Sequence, residues 1–435
     1  MSPPRQAVIL CGGLGRRLHP YTDRMPKPMV PVNGRPFLEH LLEQLAAHGI
    51  RRFLLLTGYL GWQIRDYFED GSSRGWEIDY SHGPIEWDTG RRLWEAREQM
   101  EPRFLLLYSD NFVQFPMDRL IALHEMEQVS LSLLLAPKAK GNIRVSAEGR
   151  IEAYDKTRTG HSLDFVEVGY MIVERDRVLN VFPTLKNHPD FSFPEVLEHL
   201  AGMNQLAGLV VRDPYRSIAD PDRLELMRSY LKPKKLLLID RDGVINQKAP
   251  KGEYISTLEE FKWIPETRQA MKELAARGFK FIVLSNQAGI ARGMVDSTVL
   301  EQIHQNMVAE LRKDGVEILD VYVCPHHWDE NCDCRKPAPG LFFRASRDHL
   351  LRMDHTIYIG DDPRDCLTAN NAGCLSILVG PDRNDDANSE VKPSLSAGTL
   401  LDAISWISAR FQDWAGNLAT SGDSGKNPIR TRITT

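Results

Sequence analysis

The sequence lacks any apolar stretch long enough to cross a membrane. A membrane-spanning helix needs about 20 consecutive apolar residues, and no run in this chain approaches that length. The N-terminal segment also lacks the features of a secretory signal peptide, because its short apolar run is followed at once by glycines. These absences predict a cytoplasmic protein with no membrane partner.

The chain also lacks an excess of charge of either sign. Its formal net charge is −5 over 435 residues, which provides no general attraction to nucleic acid or to an anionic surface. We find no internal repeat and no nucleic-acid-binding signature. The composition, 42% hydrophobic and 26% charged, is typical of a globular protein, and the length favours two or three domains. We therefore expect small-molecule partners, and the sequence does not predict an oligomeric state.

Cysteine is scarce, with six in the whole chain, yet one short segment is rich in it. From Cys324 to Cys334 the sequence has the pattern Cys-x-His-x₅-Cys-x-Cys. In a cytosolic chain this spacing indicates a metal site before a disulfide. We expect tetrahedral Zn²⁺ bound by Cys324, His326, Cys332 and Cys334, with His327 as the alternative histidine.

The first half alternates short apolar strands with amphipathic helices, which is typical of an α/β fold. After the strand at residues 7–10, Gly12 and Gly13 begin a glycine-rich loop whose backbone N–H groups can approach a phosphate closely. The loop lacks the Gly-Lys-Ser/Thr ending of a P-loop. Arg17 and Lys27 follow it and supply positive charge for a polyphosphate. An ordinary loop after a strand is the alternative.

The glycine loop is followed by Pro-Lys-Pro-Met-Val-Pro-Val at residues 26–32 and Gly-Arg-Pro-Phe-Leu-Glu at residues 34–39. Together these segments resemble the signature of the sugar-1-phosphate nucleotidyltransferases, over residues 5–230. The resemblance implies a Rossmann-like, GT-A-like domain that joins a nucleoside triphosphate to a sugar 1-phosphate.

The same resemblance implies roles for particular side chains in the first half. Gly12, Gly13, Arg17 and Lys27 would bind the triphosphate and stabilise the charge that develops at the attacked phosphorus. Asp110, which follows a buried strand, would hold Mg²⁺ on the α-phosphate. Lys156 would bind the sugar 1-phosphate.

Two features depart from that family pattern. Arg91 and Arg92 stand where small residues are usual in the loop that contacts the base and the sugar. Ser217 stands where a second metal-binding aspartate is expected, and a hydroxyl is a poorer Mg²⁺ ligand than a carboxylate. Asp213 and Asp220 are the candidates to substitute for it. The first half is therefore predicted to be either a transferase or a module that binds a nucleotide sugar without catalysis.

The second half is organised around an apolar strand that ends in Asp240 and Asp242. Side chains two residues apart on an extended strand point to the same side, and the carboxyl ends of parallel strands carry the chemistry of open sheets. Later strand ends and loops carry Ser285, Lys336 and Asp361. A turn acid is the alternative for any one of these residues, but the ordered set indicates a catalytic site.

This ordered set resembles the haloacid dehalogenase superfamily of phosphatases. The resemblance implies that Asp240 is a nucleophile that forms an aspartyl-phosphate and that Asp242 is the general acid and base. Ser285 would hydrogen-bond the phosphoryl oxygens, and Lys336 would neutralise them. Mg²⁺ would bind Asp240, the Asp242 carbonyl and Asp361.

With the cysteine-rich segment included, the second half is similar to a zinc-containing subgroup of that superfamily. The subgroup includes phosphatases of heptose 1,7-bisphosphate and of histidinol phosphate, and both substrates stay open here. Asn286, Arg292 and Arg335 would bind substrate, and Asp365 would position the active-site lysine or the water shell of the metal.

The sequence thus predicts two α/β domains with Rossmann-like three-layer architecture. Residues 1–231 form a nucleotidyltransferase-like domain, residues 234–383 form the phosphatase domain, and residues 384–435 contain a helix at 399–414 and disorder from residue 416. The predicted function is hydrolysis of heptose 1,7-bisphosphate to heptose 1-phosphate, followed by synthesis of an NDP-heptose. The alternative is a phosphatase with a non-catalytic N-terminal domain. The predicted partners are sugar phosphates and a nucleoside triphosphate, and the predicted cofactors are Mg²⁺ and Zn²⁺.

Overall fold

The computed structural model describes residues 3–182, 190–380 and 392–419. The chain forms two compact units, residues 1–231 (unit 1) and residues 232–435 (unit 2). Each unit has a central sheet whose strands alternate with helices along the chain, mixed in unit 1 and parallel in unit 2, so the predicted α/β class is confirmed. Within the described ranges, no helix combines the length and the apolar content needed to cross a bilayer.

Unit 1 alternates strands and helices along the chain. Its strands are β1 (Gln6–Cys11), β2 (Pro31–Val32), β3 (Arg35–Pro36), β4 (Arg52–Thr57), β5 (Glu77–His82), β6 (Arg103–Tyr108), β7 (Asn111–Phe112), β8 (Leu131–Pro137), β9 (Ile143–Val145), β10 (Ile151–Tyr154), β11 (Phe165–Glu174), β12 (Leu206–Val210) and β13 (Arg216–Ser217). Its helices are α1 (Phe37–Ala47), α2 (Gly61–Phe68), α3 (Thr89–Glu95), α4 (Met117–Glu127), α5 (Arg175–Leu179), α6 (Phe193–Gly202) and α7 (Pro221–Leu231).

The main sheet of unit 1 has the strand order β10-β9-β11-β6-β1-β4-β5, with β8 paired to β11 and β12 paired to β8. The central strand β1 is parallel to both β4 and β6, and Ile9 lies opposite Leu55 and Leu107. Because both neighbours are parallel, β1 is buried along its whole length. The loops that follow β1 and β6 leave the sheet at the same edge, and they carry Gly12 and Asp110.

Unit 2 has the same alternation. Its strands are β14 (Leu236–Ile239), β15 (Lys280–Asn286), β16 (Ile318–Cys324), β17 (Ile357–Gly360), β18 (Leu375–Val379) and β19 (Leu395–Ala397). Its helices are α8 (Pro265–Ala276), α9 (Ser297–Lys313), α10 (Gly340–His349), α11 (Pro363–Ala372) and α12 (Leu400–Ala419).

The sheet of unit 2 is parallel throughout, in the order β16-β15-β14-β17-β18-β19. Alternate residues of β14 enter different apolar cores. Leu237 and Ile239 pack with α8, α9 and α12 on one face, and Leu236 and Leu238 pack with α10 and α11 on the other. Since β15 and β17 flank β14, the residues that follow these three strands meet at one edge.

The last described helix extends further than the sequence predicts. An amphipathic helix was expected at residues 399–414 with disorder from residue 416, whereas α12 continues to Ala419. The remainder of the expected disordered tail, residues 420–435, lies outside the described residues. Phe411 of α12 packs edge-on against Phe279, with ring centroids 4.9 Å apart, so the helix is part of the unit 2 core.

Candidate active sites

An ion pair between Asp240 and Lys336 lies at the carboxyl end of β14. The two side chains are almost fully buried, and Asp240 Oδ2 is 2.7 Å from Lys336 Nζ. Lys336 Nζ is also 2.9 Å from Asp365 Oδ1 and donates to the Tyr358 hydroxyl at 2.7 Å. The backbone N–H of Arg241 donates to Asp240 Oδ1 at 2.8 Å. A single ammonium group therefore lies between two buried carboxylates and balances one negative charge of the pair.

The charges of this group depend on one another. Burial raises the pKa of Asp240 and the Asp365 carboxylate adds to this rise, while the Lys336 ammonium opposes it. Although burial lowers the pKa of Lys336, Asp240 and Asp365 raise it overall, so the lysine stays charged. A further cation beside Asp240 would favour the carboxylate that a nucleophile requires.

Asn286, at the end of β15, holds the Lys336 backbone in position. Its Oδ1 accepts from the Lys336 N–H at 3.1 Å, and its Nδ2 donates to the Lys336 carbonyl at 3.2 Å. Substrate contact was expected for Asn286, and that role stays a prediction. The two bonds explain how a lysine from a long loop reaches the end of the central strand.

Asp242 lies in a ring of hydrogen-bond donors. Arg241 Nη2 donates to both carboxylate oxygens at 2.8 and 2.9 Å, and Arg241 Nε donates to Oδ1 at 3.1 Å. Asn246 Nδ2 donates to Oδ1 at 3.0 Å, and Gln287 Nε2 donates to Oδ2 at 2.7 Å. Burial alone would raise the pKa of Asp242, but the Arg241 charge and these bonds lower it overall. Asp242 is therefore ionised in this arrangement.

Ser285 is buried beside this carboxylate at the end of β15. Its Oγ accepts from Gln287 Nε2 at 2.8 Å, which leaves the Ser285 hydroxyl hydrogen free to donate to another group. Gln287 thus connects Ser285 to Asp242, and sequence reasoning missed it.

The carboxylates of Asp240, Asp361 and Asp365 offer oxygens that all lie within 4.8 Å of one another. Asp361 Oδ1 is buried without a hydrogen-bond partner among the described residues, and its Oδ2 is 2.5 Å from Lys248 Nζ. Burial raises the pKa of Asp361. Asp365 instead accepts from the N–H groups of Asp361 and Asp362 and from Lys336. A buried, unsatisfied carboxylate oxygen fits Mg²⁺, which prefers hard oxygen ligands.

The cysteine-rich segment forms a second ligand cluster. Cys332 Sγ is 3.7 Å from Cys324 Sγ and 3.6 Å from Cys334 Sγ. His326 Nδ1 is 3.6 Å from Cys324 Sγ and 3.2 Å from Cys334 Sγ. A disulfide has sulfurs about 2.05 Å apart, whereas tetrahedral zinc–sulfur bonds of about 2.3 Å separate the sulfurs by about 3.8 Å. The spacing therefore fits Zn²⁺ and not a disulfide.

The neighbouring histidine has a different role. His327 precedes a short 3₁₀ turn. Its side-chain Nδ1 accepts from the Asp329 backbone N–H at 3.4 Å, and its backbone N–H donates to Glu330 Oε1 at 2.6 Å. Of the two histidines, the structure brings only His326 to the three sulfurs.

Two arginines predicted to bind substrate lie on loops of unit 2. Arg292 is exposed, its Nη1 donates to the Tyr254 hydroxyl at 3.3 Å, and its guanidinium lies 5.5 Å from the ring centre of Trp328. Arg335 directly precedes Lys336, and its Nη1 is buried without a partner in the described part of the chain. A buried donor without a partner is available to a bound molecule, and substrate contact by Arg335 stays a prediction.

In unit 1, the predicted metal ligand is paired with the predicted phosphate-binding lysine. Lys27 Nζ is 2.7 Å from Asp110 Oδ2. Arg17 is exposed on the 3₁₀ turn that follows the glycine loop. Lys156 lies 2.6 Å from Glu195 Oε1 and donates to Ser192 Oγ at 3.1 Å. The structure thus joins Lys27 to Asp110 and places Lys156 against α6.

Ser217 lies next to Asp110 in the small antiparallel ladder of β7 and β13. Ser217 pairs with Asn111, and the Ile218 N–H donates to the Asp110 carbonyl at 2.9 Å. Asp220, one candidate to replace the missing aspartate, accepts from the Arg223 N–H at the start of α7. Among the described residues, Asp110 does not belong to any group of three metal-ligating side chains.

Arg92, one of the two arginines that depart from the family pattern, has a structural role. Its side chain is buried and donates to the carbonyls of Thr57 at 2.8 Å, Gly83 at 3.4 Å and Pro84 at 2.6 Å. A Cβ on Gly12 would lie 2.4 Å from the Arg92 guanidinium carbon. A larger residue at position 12 would therefore displace the Arg92 guanidinium, whether or not a phosphate binds there.

Arg91 points elsewhere. Its Nη2 is 2.6 Å from Glu95 Oε1, one turn further along α3, and its guanidinium lies 5.3 Å from the ring centre of Trp87. The two adjacent arginines therefore have separate structural roles.

Comparison with known proteins assigns both units. A family model described as nucleotidyl transferase matches residues 6–156, and one described as HAD-hydrolase-like matches residues 333–403. A D-glycero-beta-D-manno-heptose-1,7-bisphosphate 7-phosphatase from Pseudomonas putida is 38% identical over 145 residues, which are 33% of this chain and 82% of that protein. The chain belongs to this phosphatase family through unit 2.

Two further similarities concern one unit each. A D-glycero-alpha-D-manno-heptose-1,7-bisphosphate 7-phosphatase from Mycobacterium bovis is 36% identical over 154 residues, which are 33% of this chain and 78% of that protein. The crystal structure of HddC from Yersinia pseudotuberculosis has a TM-score of 0.45 and 22% identity, and the match covers 52% of this chain and all of that one. The predicted fusion of a nucleotidyltransferase domain with a phosphatase of this family is confirmed.

Several residues of this phosphatase-family site were missed from the sequence. Arg241, Gln287 and His304 all contact Asp242 or its partners. Arg241 stands between the two aspartates, and its position there was the available signal. His304 is on α9, far along the chain, and no local pattern distinguishes it from an ordinary buried residue of an amphipathic helix. Burial lowers the pKa of His304 to about 4.

We expect Arg92→Ala to lower the free energy of unfolding of unit 1 by about 2–4 kcal/mol, since the buried carbonyls of Thr57 and Gly83 and the partly buried carbonyl of Pro84 lose a charged donor. The matched control is Arg91→Ala, whose half-exposed ion pair is worth at most about 1 kcal/mol. Chemical unfolding of the full chain, followed by circular dichroism, measures both. Equal effects of the two substitutions would contradict the role assigned to Arg92.

Proposed function

We propose that unit 2 is a phosphatase that removes the 7-phosphate of D-glycero-D-manno-heptose 1,7-bisphosphate. The observation that carries the proposal is the buried Asp240–Lys336 pair at the end of the central strand, with Asp242 and Ser285 beside it. The sugar is suggested by the names of the relatives, which include both anomers. We propose further that residues 1–231 and 234–383 are the two catalytic domains.

In the proposed reaction Asp240 Oδ attacks the phosphorus, and the bond between phosphorus and the sugar oxygen breaks. Asp242 in its acid form gives a proton to the leaving oxygen. The Asp242 carboxylate then takes a proton from the water that attacks the aspartyl-phosphate, which releases phosphate and restores Asp240. The donors around Asp242 favour its carboxylate, which is the form needed in this second step.

Charge on the phosphoryl group is matched by groups already in place. The Lys336 ammonium offsets the negative charge of the phosphoryl group and of Asp240. Ser285 donates its free hydroxyl hydrogen to a phosphoryl oxygen. Mg²⁺ bound by Asp240, the Asp242 carbonyl and Asp361 would supply further positive charge at the same place.

Zinc is proposed to have a structural role. Cys334, a member of the four-ligand cluster, lies two residues before Lys336 in the chain. A closed site with four protein ligands has no open position for substrate and stabilises the loop that carries it. Binding of Zn²⁺ would therefore fix the backbone on which Lys336 and Arg335 are placed.

For unit 1 we propose transfer of a nucleotide to the sugar 1-phosphate that unit 2 produces. The glycine loop, Lys27 and Asp110 support this role because cationic and metal-binding groups are adjacent there. Since one unit releases the class of compound that the other consumes, their fusion has a chemical reason. The serine at position 217, where a second metal-binding aspartate is expected, supports a second candidate, a unit that binds a nucleotide sugar without catalysis.

Purified full-length protein in Mg²⁺ should release phosphate from heptose 1,7-bisphosphate faster than from histidinol phosphate. Asp240→Asn removes the nucleophile with little change in volume, and we expect turnover to fall about 10³-fold or more. Phosphate release followed with a colorimetric assay measures both. If histidinol phosphate is the faster substrate, the sugar assignment is wrong and the phosphatase class stands; if Asp240→Asn keeps full activity, the class itself is wrong.

Cys332→Ser should reduce bound zinc from about one ion per chain and lower phosphatase turnover about 10- to 100-fold, because the Lys336 loop loses its anchor. Metal analysis of the purified protein provides the first readout. Cys374→Ser, which alters a cysteine outside the cluster, should change neither quantity. Unchanged zinc content in Cys332→Ser would rule out the proposed site.

Heptose 1-phosphate with each of the four nucleoside triphosphates should yield pyrophosphate with at least one of them in Mg²⁺. Ser217→Asp places a carboxylate next to Asp110, and we expect it to lower the Mg²⁺ concentration needed for half-maximal rate. Pyrophosphate release with Asp110→Asn as blank is the measurement. No release with any nucleotide, in wild type and Ser217→Asp alike, would instead support the binding-module function.

A further inference from the structure

Arg241 is an unusual side chain in the unit 2 site. It has the largest side chain among the fully buried residues of the described ranges, with no exposed surface. A buried guanidinium is costly unless its charge and its donors are satisfied. Arg241 lies between Asp240 and Asp242 in the sequence. Its hydrogen-bond partners indicate which of these two side chains it positions.

The guanidinium of Arg241 is directed at Asp242 and at one other side chain. It gives Asp242 three of the five hydrogen bonds that the carboxylate accepts, and it is the only charged donor in that set. Its remaining arm, Nη1, donates to His304 Nε2 at 2.9 Å. Since a guanidinium has no acceptor, His304 Nε2 is the accepting atom and the imidazole proton is on Nδ1.

His304 lies on α9, which packs against the sheet through apolar residues such as Met307 and Leu311. The helix therefore supplies a fixed acceptor for Arg241. The carbonyl of Arg241 also accepts from the N–H groups of Ile245 and Asn246 at 2.8 and 3.1 Å. Both ends of the residue are thus tied to rigid parts of the fold.

We propose that Arg241, held by His304, is a positioning residue that sets the orientation of the Asp242 carboxylate for proton transfer. The proposal rests on the proposed function, in which Asp242 gives and takes a proton. Arg241 does not contact substrate, because none of its surface is exposed. Its planar fork engages both oxygens of Asp242, which a single-point donor such as lysine does not reproduce.

Orientation of Asp242 matters most when the leaving oxygen needs a proton. A sugar alkoxide is a poor leaving group and depends on general acid catalysis, which contributes about 10²–10⁴-fold. p-Nitrophenolate leaves without a proton. The constant kcat/KM reports the first phosphoryl transfer to Asp240, so loss of Arg241 should lower kcat/KM for a sugar phosphate far more than for p-nitrophenyl phosphate.

The test compares kcat/KM for both substrates in wild-type protein and in Arg241→Met, which keeps the length of the side chain without its donors. The sugar phosphate is heptose 1,7-bisphosphate or, if that is not turned over, the sugar phosphate that wild type hydrolyses fastest. We expect a loss of about 10-fold or more for the sugar phosphate and less than about 3-fold for p-nitrophenyl phosphate. Equal losses for the two substrates, or no loss for either, would overturn the proposal.

Substitutions at His304 provide a second route if Arg241→Met does not fold. His304→Leu removes the acceptor and should show the same dependence on the leaving group, whereas His304→Gln keeps an acceptor and should restore the wild-type ratio. The same ratio in His304→Leu and His304→Gln would count against the proposal.

Arg352→Met is the matched control. Arg352 also makes a forked pair, with Nε 3.1 Å from Asp354 Oδ1 and Nη2 2.6 Å from Asp354 Oδ2, but it precedes β17 at the opposite end of that strand from Asp361. The substitution Arg352→Met should leave the ratio of the two kcat/KM values unchanged. If wild type hydrolyses neither substrate, the phosphatase assignment fails as well, which separates that outcome from a failure of the Arg241 proposal alone.

Discussion

The unit 2 site depends on one ammonium group, that of Lys336, placed between the carboxylates of Asp240 and Asp365. Three acidic side chains converge where β14 and β17 end, and without a buried cation their mutual repulsion and desolvation would oppose folding. The lysine comes from a long loop, which the two hydrogen bonds of Asn286 hold in position. Zn²⁺ bound at the Cys-His cluster would fix the segment that precedes Lys336. The position of the loop that carries Lys336 therefore determines both the charge balance of these carboxylates and the chemistry proposed for them.

Much of this arrangement is predictable because it is local in sequence. Buried strands that end in polar residues predict a parallel sheet and the edge at which Asp240, Ser285 and Asp361 meet. The spacing of the cysteines predicts a ligand cluster for the same reason. The side chains that hydrogen-bond to Asp242 or to its partner Arg241 are harder to predict, because some of them lie far from Asp242 in the sequence. His304 and Gln287 are ordinary residues in the sequence, and they become part of the site only because α9 and the loop after β15 pack beside Asp242.

In unit 1, the structure gives a physical reason for one departure from the family pattern. Two adjacent arginines looked unsuited to a nucleotide site, yet the Arg92 side chain turns inward and connects α3 to two other chain segments through the carbonyls of Thr57, Gly83 and Pro84. Gly12 leaves space for that guanidinium. At the position of Ser217 the described contacts are different: Asp110 pairs with Lys27, and Asp220, one candidate to replace the expected aspartate, caps α7. The proposed site of unit 2 therefore has more of its expected groups in place than the proposed site of unit 1.

The central claim is that Asp240 carries the phosphoryl group during turnover. Borohydride quenching during steady-state hydrolysis reduces an aspartyl-phosphate to homoserine, which peptide mass spectrometry locates in the sequence. The account predicts homoserine at position 240, only in the presence of substrate. With p-nitrophenyl phosphate, whose leaving group needs no proton, it predicts more homoserine in Asp242→Asn, where hydrolysis of the intermediate is slowed. Homoserine at another aspartate, or continued phosphate release with none at position 240, would contradict the account.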